Sequence, residues 1–281
     1  MSRMVTLIAC MLCFLVCPSY ADPPCYGPGD LDADGIVDAG DLAAFAGCLA
    51  GPDVAEPPPG CDPNNFERAD LHADGDLDLH DFAVLALYVG REYFNYGPHR
   101  ENLEAEMLAM DISGELRAPD AEYERILRDL ALIRTAYPEL ETVIDDTDYL
   151  PNQLLVGLVD GQPLDDYYAL NEYYQLESEE IHYSFRLLTF CDSLNAPVLA
   201  VIYAALPAVS WADPNYLIGI DDYITIDVIA STYRYSIDDG FLDCFDGCDC
   251  HRFWVIDVDE AGTVTLISYQ EYGMPWCEFG Q

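Results

Sequence analysis

The sequence predicts a multi-domain α+β protein: a pair of acidic loop-and-helix units, then a βαββαβ sandwich, then an appended antiparallel β-meander. Three observations carry this prediction. A twelve-residue acidic loop recurs forty residues after its first copy, the stretch 151–219 alternates strand-like and helix-like patterns, and the residues beyond it alternate with period two.

The first loop reads Asp30-Leu-Asp32-Ala-Asp34-Gly35-Ile36-Val-Asp38-Ala-Gly-Asp41, and the second Asp70-Leu-His72-Ala-Asp74-Gly75-Asp76-Leu-Asp78-Leu-His-Asp81. Oxygen donors fall at positions one, three, five, nine and twelve, with His72 the exception, and Gly stands at six. A hard cation such as Ca2+ takes about 6–8 oxygens; a sixth-position Gly permits the sharp turn, and the seventh residue adds its backbone carbonyl. Ile36 and Asp76 would supply those carbonyls. One such loop would read as a solvated turn, whereas two aligned copies favour a metal site.

Each loop is followed by an apolar stripe at helical spacing, Leu42, Phe45 and Leu49 in the first copy and Phe82, Leu85 and Val89 in the second. The segments before the loops, Asp22-Pro-Pro-Cys-Tyr-Gly-Pro-Gly and Cys61-Asp-Pro-Asn-Asn, read as turns. Each unit is therefore expected to be a loop and one helix, unable to bury its stripe alone.

At these residues, about 28–91, the sequence resembles a dockerin, the duplicated calcium module that docks proteins onto cohesin domains. The resemblance implies calcium ligands at Asp30, Asp32, Asp34, Asp38 and Asp41, then at Asp70, Asp74, Asp78 and Asp81. It also implies a cohesin-like extracellular partner. The positions that dockerins use for cohesin contact are Ala39-Gly40 and Leu79-His80 here. A neutral imidazole is a poor calcium ligand, so His72 makes the second of the two calcium sites the weaker one.

Arg3, the apolar run Val5 to Val16 and then Ser19-Tyr20-Ala21 read as a signal peptide, 1–21, and imply a secreted or extracytoplasmic protein. No later run has the roughly 18 apolar residues of a membrane span. Three of the 11 cysteines leave with that leader and eight remain, an even number that points to disulfides in an exported chain. A Cys48–Cys61 bridge would close the Pro-rich linker between the two loops. Cys244-x3-Cys248-x-Cys250-His251 could suggest zinc, but the spacing departs from the usual pairs, and disulfides among these cysteines or with Cys277 are favoured.

The formal charge of −41 arises from 52 acids against 11 basic residues, all arginine. Such a surface repels nucleic acid and anionic membranes, and it suits a salty medium in which screening relieves self-repulsion.

The remaining elements follow in order. The loops and their helices form a module at 22–92, and 93–150 reads as a helical connector, polar and acidic from Glu101 to Arg117. Within the connector, Ile126, Leu127, Leu130, Ile133 and Tyr137 lie at helical spacing before Pro138. In 151–219, Gln153 to Val159 is a strand and Pro163 to Tyr174 a helix. Ile181 to Tyr183 and Phe185 to Phe190 are strands, Asn195 caps a second helix with Pro197 in its first turn, and Val209 to Ile218 is the last strand. This order is that of a ferredoxin-like sandwich. Residues 220–281 then read as a disulfide-bearing meander, with Asp259-Glu-Ala-Gly262 as a hairpin turn.

The run Leu206-Pro207-Ala-Val209-Ser-Trp211-Ala-Asp213-Pro214-Asn215-Tyr216 is similar to the end of the N-terminal prodomain of secreted subtilisin-type proteases. That likeness, over about 151–219, implies a domain that inhibits a protease through its sheet face and C-terminal tail. No protease domain follows it here.

No catalytic residue stands out. With so many acids any carboxylate pair can be proposed, each of the five His reads as structural or solvated, and Tyr167, Tyr168, Tyr173 and Tyr174 could pack on the sheet or line a carbohydrate surface. The expectation is a secreted, non-catalytic calcium-binding protein for attachment or assembly. The alternatives are a component of a polysaccharide-degrading complex and a subtilase-type inhibitor.

Overall fold

A computed structural model describes residues 27–96, 100–145, 149–217, 222–242 and 248–277. The expected leader at 1–21 and the disulfide candidate Cys244 lie outside the described residues.

The N-terminal module contains α1 (Ala39–Cys48), α2 (Pro63–Ala69) and α3 (Leu79–Tyr88). Each acidic loop runs directly into a helix through a capping box: Asp38 with Asp41 opens α1, and Asp78 with Asp81 opens α3. The turn expected before the second loop is instead α2. Asp62 caps it by accepting from the Asn64 amide, and Pro63 occupies its first position, where a missing N–H costs nothing.

Leu31 and Val37 from the first loop, Phe45 from α1, Phe66 from α2, Leu77 from the second loop and Leu85 from α3 make the module's core. The predicted stripes are only half buried, since Leu49, Phe82 and Val89 remain exposed. Residues from the loops and α2 complete the core and leave the outer half of α3 uncovered. The Cys48–Cys61 disulfide joins the end of α1 to the start of α2, with Cα atoms 4.9 Å apart. Closing a loop of this length stabilises by about 3 kcal/mol, chiefly by restricting the unfolded chain.

Residues 91–96 carry the module onto the sandwich. The Phe94 amide donates to Tyr173 O at 2.7 Å, Gln175 Nε2 donates to Phe94 O at 2.8 Å, and the Tyr96 hydroxyl donates to Tyr174 O at 2.7 Å. The Phe94 ring lies against Tyr96, Tyr173 and Tyr174. Of the tyrosines considered for a carbohydrate surface, Tyr173 and Tyr174 thus serve this junction and Tyr167 is fully buried, while Tyr168 is half exposed.

The first sheet is built from β1 (Tyr149–Leu158), β2 (Leu176–Ile181), β3 (Arg186–Phe190) and β4 (Val209–Tyr216), with α6 (Asp165–Tyr173) between β1 and β2 and α7 (Ala196–Ala204) between β3 and β4. Its order is β2-β3-β1-β4, antiparallel throughout. Strand alternation brings Leu154, Val156, Leu188 and Phe190 to one face, where Tyr167, Leu199 and Tyr203 from the helices meet them. β2 lies upstream of the expected 181–183. Its sequence LESEEI has little apolar signal because it is an edge strand whose Glu179 pairs with Arg186 and accepts from the Tyr167 hydroxyl.

The meander does not extend that sheet. β5 (Asp222–Ile229), β6 (Thr232–Phe241), β7 (Cys250–Val258) and β8 (Val264–Gly273) form a second antiparallel sheet in sequential order. Its inner face of Ile224, Tyr235, Ile237, Trp254, Ile256 and Val258 is covered by α4 (Leu103–Ser113) and α5 (Asp120–Ala136), the helices of the connector segment. α4 is buried from Glu104 to Met110, so it is a core element rather than a polar link. Glu104 is tolerated inside because Arg134 grips it through two hydrogen bonds of 2.7 and 2.9 Å. Asn195 caps α7 and also donates to Met110 O at 3.1 Å, which ties α4 to the sandwich.

Cys250–Cys277 fastens the start of β7 to the chain after β8, and Cys191 and Cys248 are disulfide-bonded too, which removes the zinc reading of this cluster. Asp259 to Gly262 is a hairpin turn, closed by Gly262 N donating to Asp259 O at 3.0 Å. No helix among the described residues is long and apolar enough to cross a membrane.

Candidate metal centre

The two acidic loops share most of their hydrogen bonds. In the first, Asp30 accepts from the Asp34 and Gly35 amides at 3.2 and 3.0 Å, and in the second Asp70 accepts from Asp74 and Gly75 at 3.2 and 2.9 Å. The twelfth residue accepts from the ninth in both copies, Asp41 from Asp38 at 2.7 Å and Asp81 from Asp78 at 2.9 Å. The ninth accepts in turn from the eleventh, Asp38 from Gly40 and Asp78 from His80, each at 2.6 Å.

Backbone conformation repeats as well. Gly35 and Gly75 have φ near +89° and +87°, and the alanines at position four, Ala33 and Ala73, sit at +63° and +56°. An L-residue in that region costs about 1–2 kcal/mol, and the surrounding amide-to-carboxylate bonds hold it there twice.

Each loop is braced by the chain that leaves the other loop's helix. Val37 N donates to Arg91 O and Tyr93 N to Gly35 O, while Ala50 N and Gly51 N both donate to Leu77 O. This exchange fixes the loops relative to one another and holds the backbone around Ile36 and Asp76.

The fold brings Asp30, Asp32 and Asp41 together in the first loop, with one carboxylate oxygen of each within 4.8 Å of the others. In the second, where His72 holds position three, the group is Asp70, Asp74 and Asp81, drawn from positions one, five and twelve. Asp34 turns its carboxylate to the Ile36 amide at 2.9 Å, and Asp38 serves as the helix cap. Asp41 and Asp81 are fully buried. Burial, together with the charges of Asp41 and Asp34, pushes the carboxyls of both Asp30 and Asp32 up.

Asp76 adds a donor that the spacing argument missed. It was expected to offer only its carbonyl, yet its side chain joins Asp78 and Asp81 in a further carboxylate group. Its Oδ2 accepts from the Asp53 amide at 2.6 Å, and its Oδ1 is buried with no hydrogen-bond partner. The visible signal was the acid at position seven, where the first copy has Ile36. Clustered, partly buried carboxylates and an orphaned carboxylate oxygen are what a hard cation satisfies, so the residues fit Ca2+.

His72 departs from this pattern. Its Nδ1 lies 3.0 Å from Asp74 Oδ2, a hydrogen bond that raises the imidazole and lowers the carboxyl.

No curated protein and no solved structure matches the chain. Residues 28–90 match the family model described as the dockerin type I domain, and this part of the chain is a dockerin-like module.

Proposed function

We propose that the protein is a secreted, non-catalytic attachment protein whose dockerin-like module binds two calcium ions and docks on a cohesin-like extracellular domain. The duplicated, interbraced carboxylate loops are the observation that carries this reading. Asp30, Asp32, Asp34, Asp38 and Asp41 with the Ile36 carbonyl form the tighter site. Asp70, Asp74, Asp78 and Asp81 with Asp76 form the weaker one.

Docking draws support from the outer half of α3, where Leu79 and Leu87 are 71% and 73% exposed beside half-exposed Phe82 and Val89. Ala39, Gly40 and His80 also face solvent. The non-catalytic reading draws support from the structural employment of the ionisable groups elsewhere: Glu104 on Arg134, Asp257 on Arg234, and His251 between Asp238 and the Cys248 carbonyl. The expected result is retention of the full chain on immobilised cohesin domains in millimolar calcium and its release by chelator. Equal retention with and without calcium, or none with any cohesin tried, counts against it.

A second reading, inhibition of a subtilisin-type protease by the region 151–219, draws support from the β2-β3-β1-β4 order, which suits a ferredoxin-like sandwich. A prodomain tail must lie in the protease cleft as an extended strand. Here β5 begins at Asp222, six residues after β4 ends, and pairs along its length with β6. The intact protein is therefore expected to inhibit subtilisin weakly or not at all. Nanomolar inhibition would promote the second reading over the first.

A further inference from the structure

The duplicated loops differ at position seven and also at the pair of positions three and eleven. In the first copy these are Asp32 and Gly40, and a Cβ added to Gly40 would come within 2.3 Å of Asp32 Oδ2. The two positions therefore adjoin, and glycine leaves the carboxylate room. In the second copy, whose loop shares the bonds from positions five, six, nine and eleven, both positions are histidine. The rings of His72 and His80 lie 5.5 Å apart between centroids. His72 Nδ1 is 3.0 Å from Asp74 Oδ2, and one ligand atom each from His72, Asp74 and His80 lies within 4.8 Å of the other two.

We propose that this face of the second loop is a transition-metal site of the zinc class, with His72, Asp74 and His80 as ligands and water completing a tetrahedron. Imidazole nitrogen suits zinc, copper and nickel, whereas calcium takes oxygen, so the replacement that weakens a calcium loop supplies what a borderline cation prefers. Two nitrogens and one carboxylate with an open fourth position are a common zinc donor set. The donors start from two anchored points: His72 lies in the loop, its amide bound to Asp81 at 2.9 Å, and His80 lies in the first turn of α3. Their side chains are 53% and 75% exposed, and that of Asp74 is 40% exposed, so the three can close to the separation of about 3.3 Å that zinc–ligand bonds of about 2.0–2.1 Å require. The cation replaces the proton shared by His72 and Asp74. Because Asp74 also belongs to the carboxylate group with Asp70 and Asp81, zinc and calcium compete at the second loop and not at the first.

The site builds on the calcium reading of this loop but does not require it, and calorimetric titration with zinc chloride separates the two. In millimolar calcium the full chain is expected to take up one saturable equivalent of zinc. His72→Ala and His80→Ala should each weaken that event by at least about tenfold, or about 1.4 kcal/mol, and together abolish it. His182→Ala, in the exposed β2–β3 turn, should leave it unchanged. His72→Asp should weaken zinc and tighten the second calcium event. Absence of saturable zinc binding, survival of the event in the double variant, or no change in either metal on His72→Asp overturns the proposal. If calcium binds to neither loop while the zinc event behaves as described, the calcium reading fails and the zinc site stands.

Discussion

Chelation of calcium from the full chain unfolds residues 28–93 and leaves both four-stranded sheets intact. Without a cation, Asp30, Asp32 and Asp41 each hold a carboxylate oxygen within 4.8 Å of the others, with Asp30 and Asp41 buried, and the second loop crowds Asp70, Asp74 and Asp81 to the same distance with Asp81 buried. The core that must offset this repulsion is small, drawn from short helices and the loops themselves. Moving from about 1,000 times the dissociation constant to none removes about 4 kcal/mol of stabilisation from a single site. Amide hydrogen exchange is the direct readout. Amides in the loops, α1 and α3 should exchange about a thousandfold faster in chelator, while those of β6 and β7 should not change. Asp41→Ala should reproduce the effect in calcium, because Asp41 accepts from Leu31 N at 2.6 Å and from Asp38 N at 2.7 Å besides its place among the metal-facing oxygens. Unchanged protection in chelator would mean that the Cys48–Cys61 bridge and the small core suffice without metal.

Asp129→Ala destabilises the unit formed by α4, α5 and the second sheet by about 3–5 kcal/mol. Asp129 is fully buried on α5 and accepts from Arg125 Nε at 2.7 Å, Arg128 Nη2 at 2.8 Å and the Tyr235 hydroxyl at 3.2 Å. Arg125 also reaches Val258 O at 2.9 Å and covers the Tyr233 ring, so helix and sheet are joined through this one carboxylate. Removing it strands a guanidinium and a phenol in the interface, and breaking a buried pair in that way carries a penalty of this size. Trp254, buried in the same core, reports the transition by fluorescence, and the denaturant midpoint should fall without a change in slope. A loss below about 1 kcal/mol would show that Arg125 and Arg128 find other partners among the nearby acids.

What the sequence made legible was local and periodic. The acidic loops declare themselves by spacing, α5 by its stripe, α7 by Asn195 and Pro197, and the Cys48–Cys61 bridge by the linker it closes. The failures had non-local or ambiguous causes. α2 begins Asp62-Pro63-Asn64, which reads as a turn until the helix beyond it is seen. Glu104 and Glu106 made α4 look like a solvated link, because the partner of Glu104 is Arg134, thirty residues away. β2 carries Glu177, Glu179 and Glu180, and only its pairing with β3 reveals a strand. Asp76 was counted for its carbonyl alone, since position seven usually contributes its backbone. The helices over the second sheet could not be assigned from pattern, because nothing in an amphipathic stripe names the surface it covers.

The central claim, that the paired loops of residues 28–93 are calcium sites, is tested most directly by titrating the metal-free full chain with calcium in a calorimeter. Two binding events are expected, in the range of about 10⁻⁷ to 10⁻³ M, with the tighter one lost in Asp30→Ala and the weaker one lost in Asp70→Ala. No heat of binding up to millimolar calcium, or events that survive both substitutions, would contradict it.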